Sequence, residues 1–139
     1  VKGKRPIRST RRRAVPPLKV HLVSFGFKFG LPAKADMILD VRFLKNPFYV
    51  PSLKNLDGTA PSVKKFVLRQ SAAQRFIRKL ARLLKFLVPF YQKEGKSTLT
   101  LAFGCTGGKH RSVALVEEFS RQWKKRNLSK FHRDKGRTA

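Results

Sequence analysis

The chain has 139 residues, with 33 Lys and Arg against 7 Asp and Glu, a formal net charge of +26, 41% hydrophobic residues and one cysteine. That length suits one domain with tails, the apolar content supports a real core, and the charge calls for a polyanionic partner, either nucleic acid or an acidic membrane surface. No apolar run is long enough to span a bilayer, a lone cysteine excludes an internal disulfide framework, and the basic N-terminus has no signal-peptide pattern.

Residues 1–19 carry eight basic residues, three prolines and no acidic residue. Such a segment cannot build a core and is expected to be an extended arm when free. Its Lys2, Lys4, Arg5, Arg8, Arg11, Arg12 and Arg13 are candidate phosphate contacts. Val20 to Phe29 alternates, with Val23, Phe25, Phe27 and Phe29 on one side, and predicts a first strand; Leu31-Pro32 then turns the chain. Met37 to Leu44 is apolar on both faces and predicts a buried central strand. Asp40 and Arg42 share a face at i and i+2, as either a functional pair or a structural ion pair. Asn46 to Ser62, with three prolines and Asp57-Gly58, predicts a loop near a pocket mouth.

Ser62 to about Tyr91 reads as helix with a break near Gln70 to Ala72, ended by Pro89 and Gly95. Ala73, Phe76, Ile77, Leu80, Leu84 and Leu87 recur on one face, and Arg75, Arg78, Lys79, Arg82 and Lys85 fall opposite. A basic amphipathic helix can lie on a membrane. Here its removal would uncover a sheet, so the apolar stripe is assigned to the core and the basic stripe to nucleic-acid phosphates.

Leu99 to Cys105 predicts a strand, Thr106 to His110 a glycine loop, and the pattern from Arg111 or Ser112 a helix with Val116, Phe119 and Trp123 inward. Strand, glycine turn and helix in that order make an anion site, for which Thr106, Gly107, Gly108, Lys109, His110, Arg111, Ser112 and Arg42 are the candidates. Cys105 stands six positions before Arg111, with Ser112 next, the spacing of the cysteine-phosphatase loop. A helix N-terminus and nearby cations would lower a thiol pKa there. Gly104 replaces the histidine usual before such a nucleophile, however, and no acid motif accompanies it, so Cys105 is expected to be a packed strand-end residue. Glu117 and Glu118 diverge on their helix and make no acid–base pair. Leu128 to His132 predicts a short edge strand. Lys124, Lys125, Arg126, Lys130, Arg133, Lys135 and Arg137 complete the candidate RNA contacts. His21, His110 and His132 are too scattered for a metal site. No repeat or cofactor motif is found, and no catalytic residue is assigned.

Three motifs in order carry a family resemblance: Phe25 to Pro47 (FGFKFGLPAKADMILDVRFLKNP), Gly104 to Ser112 (GCTGGKHRS) and His132-Arg133. Together they resemble the C-terminal domain of the RNase adapter protein RapZ, over about Val20 to Arg133. The resemblance implies an α/β domain that binds small regulatory RNAs, presents them to an endoribonuclease and works as an oligomer. It also implies an aminosugar-phosphate pocket using Thr106, Gly107, His110, Arg111 and Arg42. The family has a histidine after Asn-Pro where this chain has Phe48, its N-terminal nucleotide-binding domain is absent from these 139 residues, and the positive charge is greater than the resemblance implies.

The expected fold is a single small α/β domain over 20–133, flanked by a basic arm over 1–19 and a basic tail over 134–139. It has a sheet of three or four strands, a long basic amphipathic helix unit and a C-terminal helix after the glycine-rich anion loop. The expected function is non-enzymatic binding of structured RNA, through phosphates and shape, as an rRNA-binding component among neighbouring subunits of a large ribonucleoprotein. An organellar ribosome is the expected seat, so the expected location is intracellular, mitochondrial ahead of cytoplasmic. The glycine loop would hold an RNA phosphate or a small phosphate ligand, with no cofactor. Two other readings are an RNA adapter that senses an aminosugar phosphate and a phosphatase using Cys105 and Arg111.

Overall fold

The computed structural model describes residues 17–123 and 127–137. The expected contacts at Lys2, Lys4, Arg5, Arg8, Arg11, Arg12, Arg13, Lys124, Lys125 and Arg126 lie outside the described residues.

Four strands, β1 (Lys19–Gly26), β2 (Met37–Asp40), β3 (Thr98–Cys105) and β4 (Leu128–His132), form one sheet in the order β2-β3-β1-β4. Every pairing is parallel. Parallel neighbours need crossover connections. Helices α1 (Pro61–Leu68) and α2 (Ser71–Lys93) lie between β2 and β3, and α3 (Arg111–Trp123) lies between β3 and β4.

Successive side chains on a strand point to opposite faces. Val20 and Leu22 of β1 and Leu99, Leu101 and Phe103 of β3 therefore share one face. They form the main core with Val63 and Val67 of α1, Ala73, Ile77, Leu80 and Leu84 of α2, and Leu115, Val116 and Phe119 of α3. The intervening Val23, Phe25 and Ala102 make a smaller cluster on the other face, joined by Phe27 and Ala35 from the β1–β2 connection. All three described helices contribute to the first cluster and so pack on that face of the sheet.

The single-domain α/β expectation, the glycine loop between β3 and a helix, and the short strand at Leu128 all hold. Local expectations fail in four places. Phe27 to Phe29 forms a 3-10 turn instead of extending β1. A Cβ at Gly26 would meet the Gly107 carbonyl oxygen at 2.6 Å, so β1 ends where the glycine loop crosses it. β2 is an edge strand of four residues with alternate positions exposed, not a central strand through Leu44. Val41 and Leu44 are buried after the strand ends, which produced the two-sided apolar pattern. α2 continues through Pro89 to Lys93. Proline removes a bond to the carbonyl four residues back, and both Lys85 and Pro89 are on the exposed side, where water can serve that carbonyl. Finally, packing runs past the boundary drawn at 133, because Asp134 is completely buried. The expected helix break is present: Arg69 and Gln70 separate α1 from α2, with Gln70 extended and its Oε1 accepting the Lys45 N–H at 2.9 Å.

Candidate functional site

β1 and β3 end side by side, with Gly26 opposite Cys105. The loop Thr106 to His110 passes over Gly26 in close backbone contact. Gly108 has φ +74°, and a Cβ there would lie 2.5 Å from the Gly26 nitrogen, so the crossing requires glycine twice over. Three further segments brace the loop. The Lys28 N–H donates to the Thr106 carbonyl (3.2 Å) and the Gly58 N–H to the Lys109 carbonyl (2.8 Å). Asp134 Oδ2 accepts the Gly26 N–H at 2.8 Å, across 108 residues of sequence.

The loop walls a cleft of about 400 Å³. Of the candidate anion-site residues, Thr106, Gly107, Lys109, His110 and Arg111 line it. Arg42, Gly108 and Ser112 do not. Arg42 makes a two-pronged ion pair with Asp40 (2.7 and 2.9 Å) and covers the Phe27 ring at 4.0 Å. Ser112 is fully buried, its N–H donating to Cys105 Sγ at 3.4 Å while the thiol donates to its hydroxyl at 3.2 Å. The rest of the lining is Arg137, a candidate RNA contact, together with Lys28, Phe29, Asn46, Phe48, Tyr49, Lys54 and Asn55, which no sequence signal singles out as site residues. Nor does one single out Gly26 and Asp134 beneath the loop.

Arg111 is 5% exposed. Its Nη1 donates to the carbonyls of Arg42 and Leu44, both at 3.0 Å, and its Nη2 donates to Thr106 Oγ1 at 3.3 Å. Its Nε is buried without a partner among the described residues. The residue expected to grip an anion is therefore first a strut that holds the segment after β2 to the loop. His110 Nε2 donates to the Lys54 carbonyl at 3.2 Å. Burial, aided by the charge of Lys109, holds the His110 pKa below 6.5 despite its backbone acceptors, so its imidazole is neutral at pH 7. Among the described residues no carboxylate lines the cleft. Cys105 has its sulfur within reach of Ser112, but nothing beside it resembles the general acid of phosphoester cleavage. Among the described residues no group of His, Cys, Asp and Glu is arranged to hold a metal ion.

The other cationic feature is the outer face of α2. Arg75, Arg78, Lys79 and Arg82 line a shallow recess, and Arg78, Arg82 and Lys85 continue it beside Gln122 and Trp123 of α3. From Arg75 to Lys85 the track runs about 15 Å along the helix. Acidic groups are committed elsewhere: Asp36, Asp40, Glu117, Glu118 and Asp134 each hold an ion pair with a cation outside this stripe. Those pairs engage some of the expected RNA contacts. Lys130 binds Glu117, Arg133 binds Asp134 and the Gly30 carbonyl, and Arg137 binds Asp134.

A family model described as the RapZ C-terminal domain matches residues 18–136. This chain belongs to the RapZ C-terminal domain family. Curated relatives, each described as a nucleotide-binding protein, agree. That of Geotalea daltonii is 48% identical over 119 residues, covering 84% of this chain and 42% of the relative. That of Anaeromyxobacter sp. (strain K) is 63% identical over 99 residues, covering 71% and 34%. That of Pediococcus pentosaceus is 48% identical over 123 residues, covering 88% and 42%. The chain thus spans about two-fifths or less of these relatives, and the RapZ match includes the buried Asp134. The relatives are bacterial and lend no support to the ribosomal seat or mitochondrial compartment expected above.

Within this RapZ C-terminal domain, Asp134 is a long-range brace, and its titration should be measurable. Burial pushes its pKa up, but the Arg133 side chain, the Gly26 N–H and the charges of Arg133 and Arg137 outweigh that and hold it below 3.8. A folded pKa below the unfolded one gives stability that is complete above the unfolded value and lost as pH falls through the folded value. His110, also held down, gives stability that begins to fall below pH 6.5. Unfolding free energy measured from pH 7 down to 2 should therefore decline in two stages, the later and larger below about pH 4. In Asp134→Asn the later stage should be shallower. An identical acid limb in that variant would show that the buried carboxylate does not act as a brace.

Proposed function

We propose that this domain is a non-enzymatic binder of structured RNA. The α2 stripe and the cationic cleft provide its described phosphate contacts. The observation that carries the reading is the stripe itself: five exposed cations aligned on one helix that has no acidic residue. A merely solvated face would be free to interleave both signs, whereas a face shaped for phosphates excludes carboxylates. Affinity then comes mainly from phosphate neutralisation, and specificity from the shape of the RNA.

Among the described residues, no helix is long and apolar enough to cross a membrane. Aminosugar sensing fits the cleft poorly, because a protonated amine would face Lys28, Lys54, Lys109 and Arg137 with no carboxylate to receive it. Ultraviolet cross-linking of the full chain to a hairpin RNA, followed by peptide mapping, tests the proposal. Cross-linked peptides should come from α2 and from the glycine-loop segment. Cross-links confined to other segments, or none at all, would contradict it.

A further inference from the structure

The wall of the cleft opposite the glycine loop has a chemistry that phosphate binding alone does not use. Phe48 and Tyr49 stand at its mouth, 46% and 80% exposed, with ring centroids 5.4 Å apart and perpendicular planes. Lys54 Nζ lies 4.9 Å from the Phe48 centroid, and the Arg137 guanidinium lies 4.9 Å from that of Phe29. The Asn46 side chain fixes the turn that presents the two rings, its Oδ1 accepting the Phe48 N–H at 3.0 Å. Cations and π-faces thus alternate around one opening. Across the cleft, Lys109 lines the loop wall with Thr106 and with Arg111, whose Nε is buried without a partner among the described residues.

We infer that this cleft takes a single unstacked nucleotide of an RNA, its phosphate toward Lys109 and Arg111 and its base on the Phe48–Tyr49 platform. The inference rests on the RNA-binding reading and deepens it. A nucleotide is the ligand that joins one phosphate to one flat π-system through a single sugar, which matches the two chemistries of the walls. Bases splayed out of a loop or bulge are commonly received on aromatic rings flanked by Arg or Lys. A sugar phosphate without a base would meet the aromatic wall only with C–H groups, a weaker match than a base's π-face. Phe48 and Tyr49 are exposed enough to be replaced without disturbing the core.

The test is calorimetric titration of the full chain with adenosine 5′-monophosphate, ribose 5-phosphate, glucosamine 6-phosphate and inorganic phosphate. Stacking on the platform should make the nucleotide bind about 5- to 150-fold more tightly than ribose 5-phosphate. Phe48→Ala with Tyr49→Ala should erase that ratio while leaving inorganic phosphate binding unchanged. Tyr49→Phe should preserve it. A hairpin RNA with an unpaired loop should displace the nucleotide. Equal binding of nucleotide and ribose 5-phosphate, or tighter binding of glucosamine 6-phosphate, would overturn the inference. Nucleotide binding that hairpin RNA does not displace would assign the site to a free nucleotide and overturn the RNA source. The same hairpin titrated against a variant carrying Arg75→Glu, Arg78→Glu and Arg82→Glu separates the two proposals. Stripe-dependent RNA binding without nucleotide selectivity defeats only this inference, and no RNA binding at all defeats the reading beneath it.

Discussion

Arg75→Glu, Arg78→Glu and Arg82→Glu combined should weaken binding to a structured RNA by about 100- to 1,000-fold at moderate salt. Hydrogen bonds to charged groups are typically worth about 1.5–3 kcal/mol each, and solvent exposure reduces that to about 1 kcal/mol per phosphate pairing here. Removing three such pairings and adding repulsion comes to roughly 3–4 kcal/mol, which is the stated range in affinity. All three arginines are exposed and face away from the apolar side of α2, so the folded state should survive the change. Arg121→Gln is a suitable control. That residue already pairs with Glu118 on α3 and lines neither recess of the track, and its loss should alter affinity less than about threefold. An RNA affinity unaltered by the triple reversal would remove α2 from the interface.

Arg111→Ala should cost about 2–4 kcal/mol of folding stability, read from denaturant unfolding of the full chain. The change strands the Arg42 and Leu44 carbonyls and frees Thr106 Oγ1, in a site where Arg111 is 5% exposed. Buried polar groups left unpaired carry most of that penalty. Arg111→Lys should recover only part of it, since an ammonium cannot reproduce the planar fork that spans two carbonyls and a hydroxyl. If Arg111→Ala were as stable as the parent, the strut would be disproved. Any measurement of ligand binding by this variant must therefore be made where it is folded.

The sequence exposed the site wherever its logic was local. β3, the glycine loop and the start of α3 are contiguous, and strand, turn and helix signals follow one another from Thr98 to Trp123. The apolar and basic stripes of α2 were visible for the same reason, being set by helical period. What escaped depends on distant partners. Asp134 reaches Gly26 across 108 residues, and only its position as the one carboxylate after Glu118 hinted at a purpose. The aromatic wall comes from a loop without periodicity, so Phe48 registered as a departure from a family pattern and not as a surface of its own. Charge alone makes Arg111 a clamp, whereas the carbonyls that claim it belong to residues 67 and 69 positions earlier. The apolar pattern overstates β2 because burial continues at Val41 and Leu44 after the strand has ended.

The most direct test of RNA binding by phosphate neutralisation is the salt dependence of affinity for a structured RNA. Each neutralised phosphate contributes a log–log slope of roughly −0.7 to −0.9. Five cations on the α2 track alone therefore predict a slope of about −3.5 to −4.5, linear across moderate salt, with the triple charge reversal flattening it by at least about 2. A slope shallower than about −1, or one the reversal leaves unchanged, would contradict the account.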